Sequence, residues 1–358
     1  MAVPRSYPLH RYPAQRIALV KPSALGDVVH ALPVLTALRR RYPQAYICWV
    51  INRGYADLVR GHPDLDDVLP FDRGLIKNEL LQAALGYGEF FRKLRSLKFD
   101  LVVDLQGLFR SGLMSLATGA PRRVGLQTAR EGAAWFYTDI LTVGDAANTH
   151  AVDRYWLAAE ALGVGGLAKT FHVPVPDEAR SWASEALRAH SRPWLMTAVG
   201  SRWQTKRWPT EHFATLLRKA QERFGGTAVF VGGPEESDAA RLTARRLHGT
   251  YLDLTGQTTL PKLAAVLARA DAMVANDTGP LHLAAALGRP TIAPYTCTRV
   301  RRTGPYNQSG AVESRVWCQG SYLKTCDRLD CMTELTPFRL WGGLHEVLRE
   351  WELRRQSA

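Results

Sequence analysis

The sequence predicts two doubly wound α/β domains, each a parallel sheet with helices on both faces. Three observations carry that expectation. Apolar runs of strand length alternate with amphipathic runs of helix length, once on each side of a Gly- and Pro-rich segment, Gly163–Pro176. Runs such as Ala272-Met273-Val274-Ala275 are apolar throughout rather than alternating, as in a parallel sheet buried on both faces. Polar, Gly-containing turns follow several of these runs, where open α/β sheets bind ligands. The 358 residues suffice for two domains, expected at 1–170 and 177–336, with a C-terminal helix over 337–358.

In chain order, Arg16–Lys21 is the first strand, and Pro22–Asp27 turns into a helix with Val28, Leu32, Leu35 and Leu38 on one face, ending before Pro43. Tyr46–Ile51 is a strand, followed by helices near Ala56–Gly61 and over Leu80–Leu97. Phe99–Asp104 is a strand leading to a Gln106-Gly107 turn, and Arg123–Gly125 and Thr138–Val143 are short strands. A helix over His150–Leu162 ends at Gly163. The second series runs helix Glu178–His190, strand Trp194–Val199, helix Glu211–Phe224, strand Thr227–Val231 and helix Glu235–Leu247. Strand Tyr251–Leu254, helix Pro261–Ala270 and the stretch Ala270–Pro294 follow. In that stretch Asp277 or Thr278 suits a helix N-cap, Pro280 the first turn, and Gly288 the stop. Leu340, Trp341, Leu344, Val347 and Leu348 give the last helix an apolar face that could pack back on the first domain.

Composition excludes several classes. Hydrophobic content of 46% and charged content of 22% are those of a globular protein. No apolar run approaches the ~20 residues that span a bilayer, and the first residues lack a signal peptide's apolar core, so a cytoplasmic location is expected. A net charge of +13 points to an anionic partner: nucleic acid, a membrane surface or a phosphorylated substrate. The basic clusters carry no nucleic-acid module signature, so nucleic acid is not expected. Cys318, Cys326 and Cys331 lack the close pair and fourth ligand of a structural zinc site and read as reduced thiols. Asp64-x-Asp66-Asp67 looks like a metal-binding D-x-D but reads as an exposed turn, so no metal is expected.

There is no G-x-G-x-x-G after a strand, no Walker A loop, no H-E-x-x-H and no G-x-S-x-G. Instead, four turns at predicted strand ends gather polar side chains. Ser23-Ala-Leu-Gly26-Asp27 offers a carboxylate at a helix start, able to accept a proton from a hydroxyl or merely to complement the helix dipole. Ser201-Arg202-Trp-Gln-Thr-Lys206-Arg-Trp-Pro209 collects hydroxyl and cationic donors suited to diphosphate oxygens. Gly232-Gly-Pro-Glu-Glu236 offers acids to ribose hydroxyls, or simply a helix-start charge. Asp277-Thr278-Gly279 opens a helix whose free N–H groups suit an anion, with His282 beside it or else on the surface.

Together these motifs resemble the ADP-heptose:lipopolysaccharide heptosyltransferases. The family signatures S-x-x-G-D-x-x-H-x-x-P, T/S-x-x-x-x-K-x-W-P and D-T-G-x-x-H read here as Ser23–Pro33, Ser201–Pro209 and Asp277–His282, in the family's order. Thr303–Tyr306 and the Cys318–Met332 segment match later elements. The segment Tyr295–Val300 departs from the pattern where relatives carry a Gly-Pro-Thr turn. The resemblance implies a GT-B fold, two Rossmann-like domains facing across a cleft, acceptor domain first and nucleotide-sugar domain second. It implies an inverting, metal-independent heptosyl transfer from an ADP-sugar to an anionic lipid-linked saccharide at a membrane surface, with no cofactor. It makes Asp27 the general base, with Ser23, Gly26 and His30 in the acceptor loop. Ser201, Arg202, Lys206, Glu236, Thr258, Asp277, Thr278, Gly279 and His282 would bind the donor. The competing readings are a nucleotide-sugar-binding protein without transferase activity and a GT-B-like sugar-nucleotide epimerase.

Overall fold

The structure is a computed structural model that describes residues 7–72 and 80–357, side chains from residue 86 onward in the third helix. The chain divides into two compact units, Met1–Pro174 and Val175–Ala358. The first unit runs β1 (Arg16–Val20), α1 (Leu25–Arg41), β2 (Tyr46–Asn52), α2 (Ala56–Val59), β3 (Asp67–Phe71), α3 (Leu80–Ser96), β4 (Leu101–Asp104), α4 (Phe109–Ala117), β5 (Arg122–Leu126), β6 (Asp139–Leu141) and α5 (Ala151–Ala161). Its six strands lie in the order β3-β2-β1-β4-β5-β6, every pairing parallel. β1 and β4 are buried along almost their whole length, which is why both read as unbroken apolar runs. Ala18, Val20, Cys48, Val50, Val102 and Phe71 form the core on one face with Leu94 of α3 and Met114 of α4.

The second unit contains α6 (Asp177–Leu187), β7 (Trp194–Ala198), α7 (Thr210–Phe224), β8 (Thr227–Phe230), α8 (Ser237–Ala244), β9 (Tyr251–Asp253), α9 (Leu260–Leu267), β10 (Ala272–Ala275), α10 (Gly279–Ala286), β11 (Thr291–Tyr295), α11 (Val300–Thr303), β12 (Ala311–Glu313), α12 (Asp330–Glu334) and α13 (Pro337–Gln356). Its sheet has the same winding, β12-β11-β10-β7-β8-β9, again all parallel. In each sheet the strand order reverses at one place: between β1 and β4 in the first, between β7 and β10 in the second. The loops leaving those neighbouring strands part in opposite directions and open a crevice at the strands' carboxyl ends.

Several elements differ from expectation. α4, α11, β12 and α12 were not foreseen; the last three span only three to five residues, too few to show a period. The acidic run Asp64–Asp67 is only partly a surface turn, because Asp67 opens β3 opposite Cys48. The single helix expected over Glu235–Leu247 is a 3₁₀ turn, Pro234–Glu236, followed by α8. α13 places Leu340, Leu344 and Leu348, one residue per turn, in the core of the second unit with Phe213, Leu217 and Ile292. The apolar face that could have served the first domain is thus used by its own. Leu344→Ala should therefore lower the second unit's stability by about 2–5 kcal/mol, the usual range for a buried leucine. Urea unfolding followed by circular dichroism measures it; a change within error would place α13 outside the core.

Candidate functional site

In the first unit the candidate residues converge on the junction of β1, β4 and α1. Residues 22–24 leave β1, and the Ser23 N–H donates to the Gln106 side-chain oxygen at 3.2 Å, tying the β1 loop to the β4 loop. Gly26 lies in the first turn of α1, followed by Asp27. One Asp27 oxygen, Oδ2, accepts from the Ala24 N–H at 3.1 Å, so the carboxylate does cap the helix start. The other, Oδ1, accepts from the Tyr155 hydroxyl at 3.1 Å and stands 4.0 Å from the Lys21 ammonium. The side chain keeps 40% of its exposure, so the carboxylate remains open to solvent. His30 is buried one turn further along, its ring edge-on to His150 at 5.2 Å. His150 caps α5 by accepting from the Val152 N–H at 3.1 Å. This pair holds α1 to α5, the helix that carries Tyr155.

The groups behind Asp27 are less accessible. Lys21 is buried, and burial lowers its pKa against the opposing pull of Asp27 and Asp104. Its ammonium lies 4.9 Å from the centre of the Tyr155 ring. Burial also raises the pKa of Asp104, whose carboxylate nonetheless accepts from the Tyr137 hydroxyl at 2.8 Å and the Gln106 N–H at 2.8 Å. Lys21 and Tyr155 belong to no recognisable motif. The signal for Lys21 is a lysine ending an otherwise apolar strand, whereas Tyr155, in sequence, is one aromatic among others on an amphipathic helix.

In the second unit the site is built around a buried carboxylate. Asn276 and Asp277 follow β10, and the loop over residues 199–209 follows β7. The buried Asn276 amide donates to the Val199 carbonyl at 2.6 Å and accepts from the Trp208 N–H at 3.1 Å, clamping both ends of that loop. Asp277 then meets four partners. The Lys206 ammonium lies 2.6 Å from Oδ2, which also accepts from the Thr298 hydroxyl at 2.7 Å. His282 Nε2 and the Tyr295 hydroxyl each lie 3.3 Å from Oδ1. Burial opposes the charge on Asp277, but the His282 hydrogen bond and the nearby Lys206 charge outweigh it and depress the pKa far below the ordinary carboxylate range. The charged form therefore stabilises the fold above the ordinary carboxylate pKa, and that contribution is lost as pH falls through the folded value.

Of the two N-cap candidates, Thr278 is the N-cap of α10, though its side chain makes no capping bond, and Asp277 is not. The carboxylate instead turns inward, toward Lys206. His282 is likewise buried rather than on the surface. Tyr295 and Thr298, the two hydroxyls that complete the Asp277 shell, come from the segment where the sequence departs from its family pattern.

The remaining candidates surround this centre. Lys206 also lies over the Trp203 ring at 4.5 Å. Its loop is fastened to the cysteine segment: the Thr205 hydroxyl donates to the Leu323 carbonyl at 2.5 Å, and the Cys326 N–H donates to the Gln204 side chain at 3.3 Å. Ser201 is buried against the Asp277 carbonyl, whereas Arg202 is exposed. The Glu236 carboxyl accepts from the Gly233 N–H at 3.2 Å and fills the space above Gly200 and Gly232, where an added Cβ would stand 2.2 and 2.0 Å from it. Burial raises its pKa. Thr258 is half-buried in the turn before α9; Gly256 of that turn donates to the Gly232 carbonyl at 2.9 Å. Ser201, Lys206, Glu236, Asp277 and His282 are thus brought together, with Thr278 and Gly279 at the start of α10.

All five cysteines are unbridged, Cys318 and Cys326 half-buried and the others buried. Among the described residues no cluster of His, Cys, Asp and Glu has metal-binding geometry. Asp64 and Asp66 serve the fold: Asp64 accepts from the Thr36 hydroxyl at 2.8 Å, and Asp66 from Arg39 at 2.5 Å and from the Ile47 N–H at 2.7 Å.

The profile of glycosyltransferase family 9 (heptosyltransferase) matches residues 87–331. Lipopolysaccharide heptosyltransferase 1 of Pseudomonas aeruginosa is 34% identical, over 93% of this chain and 98% of that protein. Lipopolysaccharide heptosyltransferase 1 of Escherichia coli K12 is 30% identical, over 83% of this chain and 92% of that protein. Among solved structures, E. coli heptosyltransferase WaaC with ADP superposes with a TM-score of 0.72 at 27% identity, covering 93% of this chain and 100% of that one. A glycosyl transferase family 9 protein from Veillonella parvula superposes at 0.80 with 24% identity over 94% of this chain and 98% of that one, which speaks for the fold. With two parallel, doubly wound sheets and this near-full-length similarity, the chain belongs to glycosyltransferase family 9, the heptosyltransferases.

Proposed function

We propose that the enzyme transfers a heptose from an ADP-linked donor to an anionic, lipid-linked core saccharide, with inversion and without a metal ion, at the cytoplasmic face of a membrane. The observation that carries this reading is Asp27: an accessible carboxylate held on both oxygens at the crevice of the first sheet. In the proposed step an acceptor hydroxyl gives its proton to Asp27 as its oxygen forms a bond to the anomeric carbon. The bond from that carbon to the diphosphate breaks on the opposite face, and ADP leaves with the electron pair. Tyr155 and Lys21 orient the carboxylate, and Ser23, Gly26 and His30 shape the loop that presents it.

The donor side draws on the second unit. Lys206, the Ser201 hydroxyl, Arg202 and the free N–H groups at the start of α10, Thr278-Gly279, would neutralise the diphosphate as charge develops on it. Asp277 and His282 act through Lys206 by fixing its ammonium. Glu236 would accept from ribose hydroxyls, and Thr258 would meet the adenine edge. The similarity to an E. coli heptosyltransferase solved with ADP supports the choice of nucleotide. Metal independence is supported by the cationic donor set and by the commitment of Asp64 and Asp66 to the fold.

Four outcomes follow. Asp27→Asn should leave donor affinity near wild type and reduce kcat by roughly 10²–10⁴-fold, the usual worth of a general base. Asn keeps a capping oxygen, so a purely structural Asp27 would leave kcat almost unchanged. Activity should persist in EDTA; loss with rescue by Mg²⁺ or Mn²⁺ would put a metal back into the reaction. Lys206→Ala should lose donor affinity and also cost about 3–5 kcal/mol of stability, because Asp277 is left buried and unpaired. Adding Asp277→Asn should recover part of that stability but none of the donor affinity, as read by thermal melts and donor titration. Recovery of both would remove Lys206 from the diphosphate. Donor incubated alone should return unchanged, whereas epimerised sugar would favour the epimerase.

A further inference from the structure

We infer that the outer face of α4, together with Trp135, is the surface by which the first unit docks on an anionic lipid bilayer. This rests on the proposed lipid-linked acceptor and says where the protein meets the lipid. α4 carries Phe109, Leu113 and Leu116 at i, i+4 and i+7, so the three share one face of the helix. Phe109 and Leu116 are 45% and 43% exposed, large values for members of a single apolar stripe, and Leu113 is half-buried. Beside them the 3₁₀ turn Ala133–Phe136 presents Trp135, which is 84% exposed. Single exposed apolar residues need no explanation, but a contiguous set rimmed by charge does.

The set is rigidly mounted. The Phe136 ring packs edge-on against Phe109 at 5.4 Å and occupies the space beside Gly112, where a Cβ would stand 2.5 Å from it. The Phe136 carbonyl accepts from the Arg123 guanidinium at 2.6 Å. Gly132, at φ +77°, lets the Trp135 ring lie across the turn. The rim is cationic: half-buried Arg110, its guanidinium 5.7 Å from the centre of the Phe71 ring, follows Phe109, exposed Arg130 precedes the turn, and exposed Arg95 of α3 lies over Gly119 at the far end of α4. Arg92 is also exposed on α3, and the exposed acids beside these cations are Glu89, one turn before Arg92, and Glu131. Aromatic side chains in a cationic rim match the headgroup layer of an anionic membrane, where each basic residue near the surface and each buried aromatic adds affinity. A neutral protein partner would have no use for the rim.

The patch adjoins the acceptor loop. The Arg130 N–H donates to the Gly107 carbonyl at 2.8 Å, and the neighbouring Gln106 holds the Ser23 N–H of the Asp27 loop. Docking here would bring that loop to the lipid surface from which an acceptor saccharide projects. No helix among the described residues is long and apolar enough to cross a membrane.

The test is co-sedimentation of the full-length protein with vesicles of phosphatidylcholine alone or with phosphatidylglycerol. Wild type should bind the anionic vesicles, more weakly as salt is raised, and the neutral ones poorly. Phe109→Ser with Trp135→Ser should weaken binding roughly tenfold or more, since apolar burial drives insertion. Arg95→Gln with Arg110→Gln should weaken it further at low salt than at high salt. Trp317→Ser, an equally exposed tryptophan of the second unit, should change nothing. The aromatic pair should leave kcat and KM unchanged on a delipidated, water-soluble acceptor. Wild-type binding by the aromatic variant, equal loss in Trp317→Ser, a KM rise on the soluble acceptor, or loss of self-association in place of vesicle binding would each overturn the assignment. Vesicle binding is read without turnover, so failure of the transferase reading and failure of the docking surface give different results.

Discussion

The second unit is organised by one expensive group, the carboxylate of Asp277. A charge buried in a protein interior is costly unless it is paired and hydrogen-bonded, and an uncompensated carboxyl would take up a proton instead. Asp277 is fully supplied, and its four partners come from three different pieces of chain: Lys206 after β7, His282 within α10, and Tyr295 and Thr298 at and just beyond the end of β11. Satisfying that carboxylate fixes the position of each piece. The ammonium of Lys206 is thereby held at the carboxyl ends of β7 and β10, beside the start of α10. A lysine would otherwise sample many rotamers, so the salt bridge removes entropy that a flexible cation would have to lose on meeting the proposed diphosphate.

The two units solve the same topological problem with different chemistry. In each, two adjacent central strands release their loops in opposite directions, and a side-chain amide stitches the loops together: Gln106 to Ser23 in the first, Asn276 to Val199 in the second. The carboxylate beyond the stitch then differs in exposure. Asp277 is enclosed and held by four groups, which suits a fixed counter-charge. Asp27 is held by Ala24 and Tyr155 yet remains 40% exposed, which suits the proposed general base. Lys21, buried behind Asp27, stands 4.0 Å from its Oδ1 and leaves the open side of the carboxylate free.

Much of the fold was legible because parallel sheets write themselves into sequence as unbroken apolar runs. β1, β4, β7 and β10 lie near their expected limits, and most helices between them follow from period and caps, α4 and the split before α8 excepted. What escaped was short or depended on a partner. β12 exists because Ala293–Tyr295 offers an edge to pair with, and the direction of α13 is set by a hydrophobic core that includes Phe213 and Leu217, more than a hundred positions earlier. An amphipathic face says that a helix packs, not on what.

The sequence by itself determined the βα order, the polar turns at strand ends and the residue types in Ser23–Asp27, Ser201–Pro209 and Asp277–His282, since local spacing and backbone chemistry suffice for these. Only the tertiary structure decided what each side chain faces. It turned Asp277 away from its helix N-terminus toward Lys206, buried His282, and brought Tyr155 to Asp27 across 128 positions of chain. It also drew Tyr295 and Thr298 into the Asp277 shell from a segment whose departure from the family pattern gave no hint of that role. Hydrogen-bond partners of a buried charge are chosen by geometry in three dimensions, and a hydroxyl's usefulness there leaves no periodic trace along the chain.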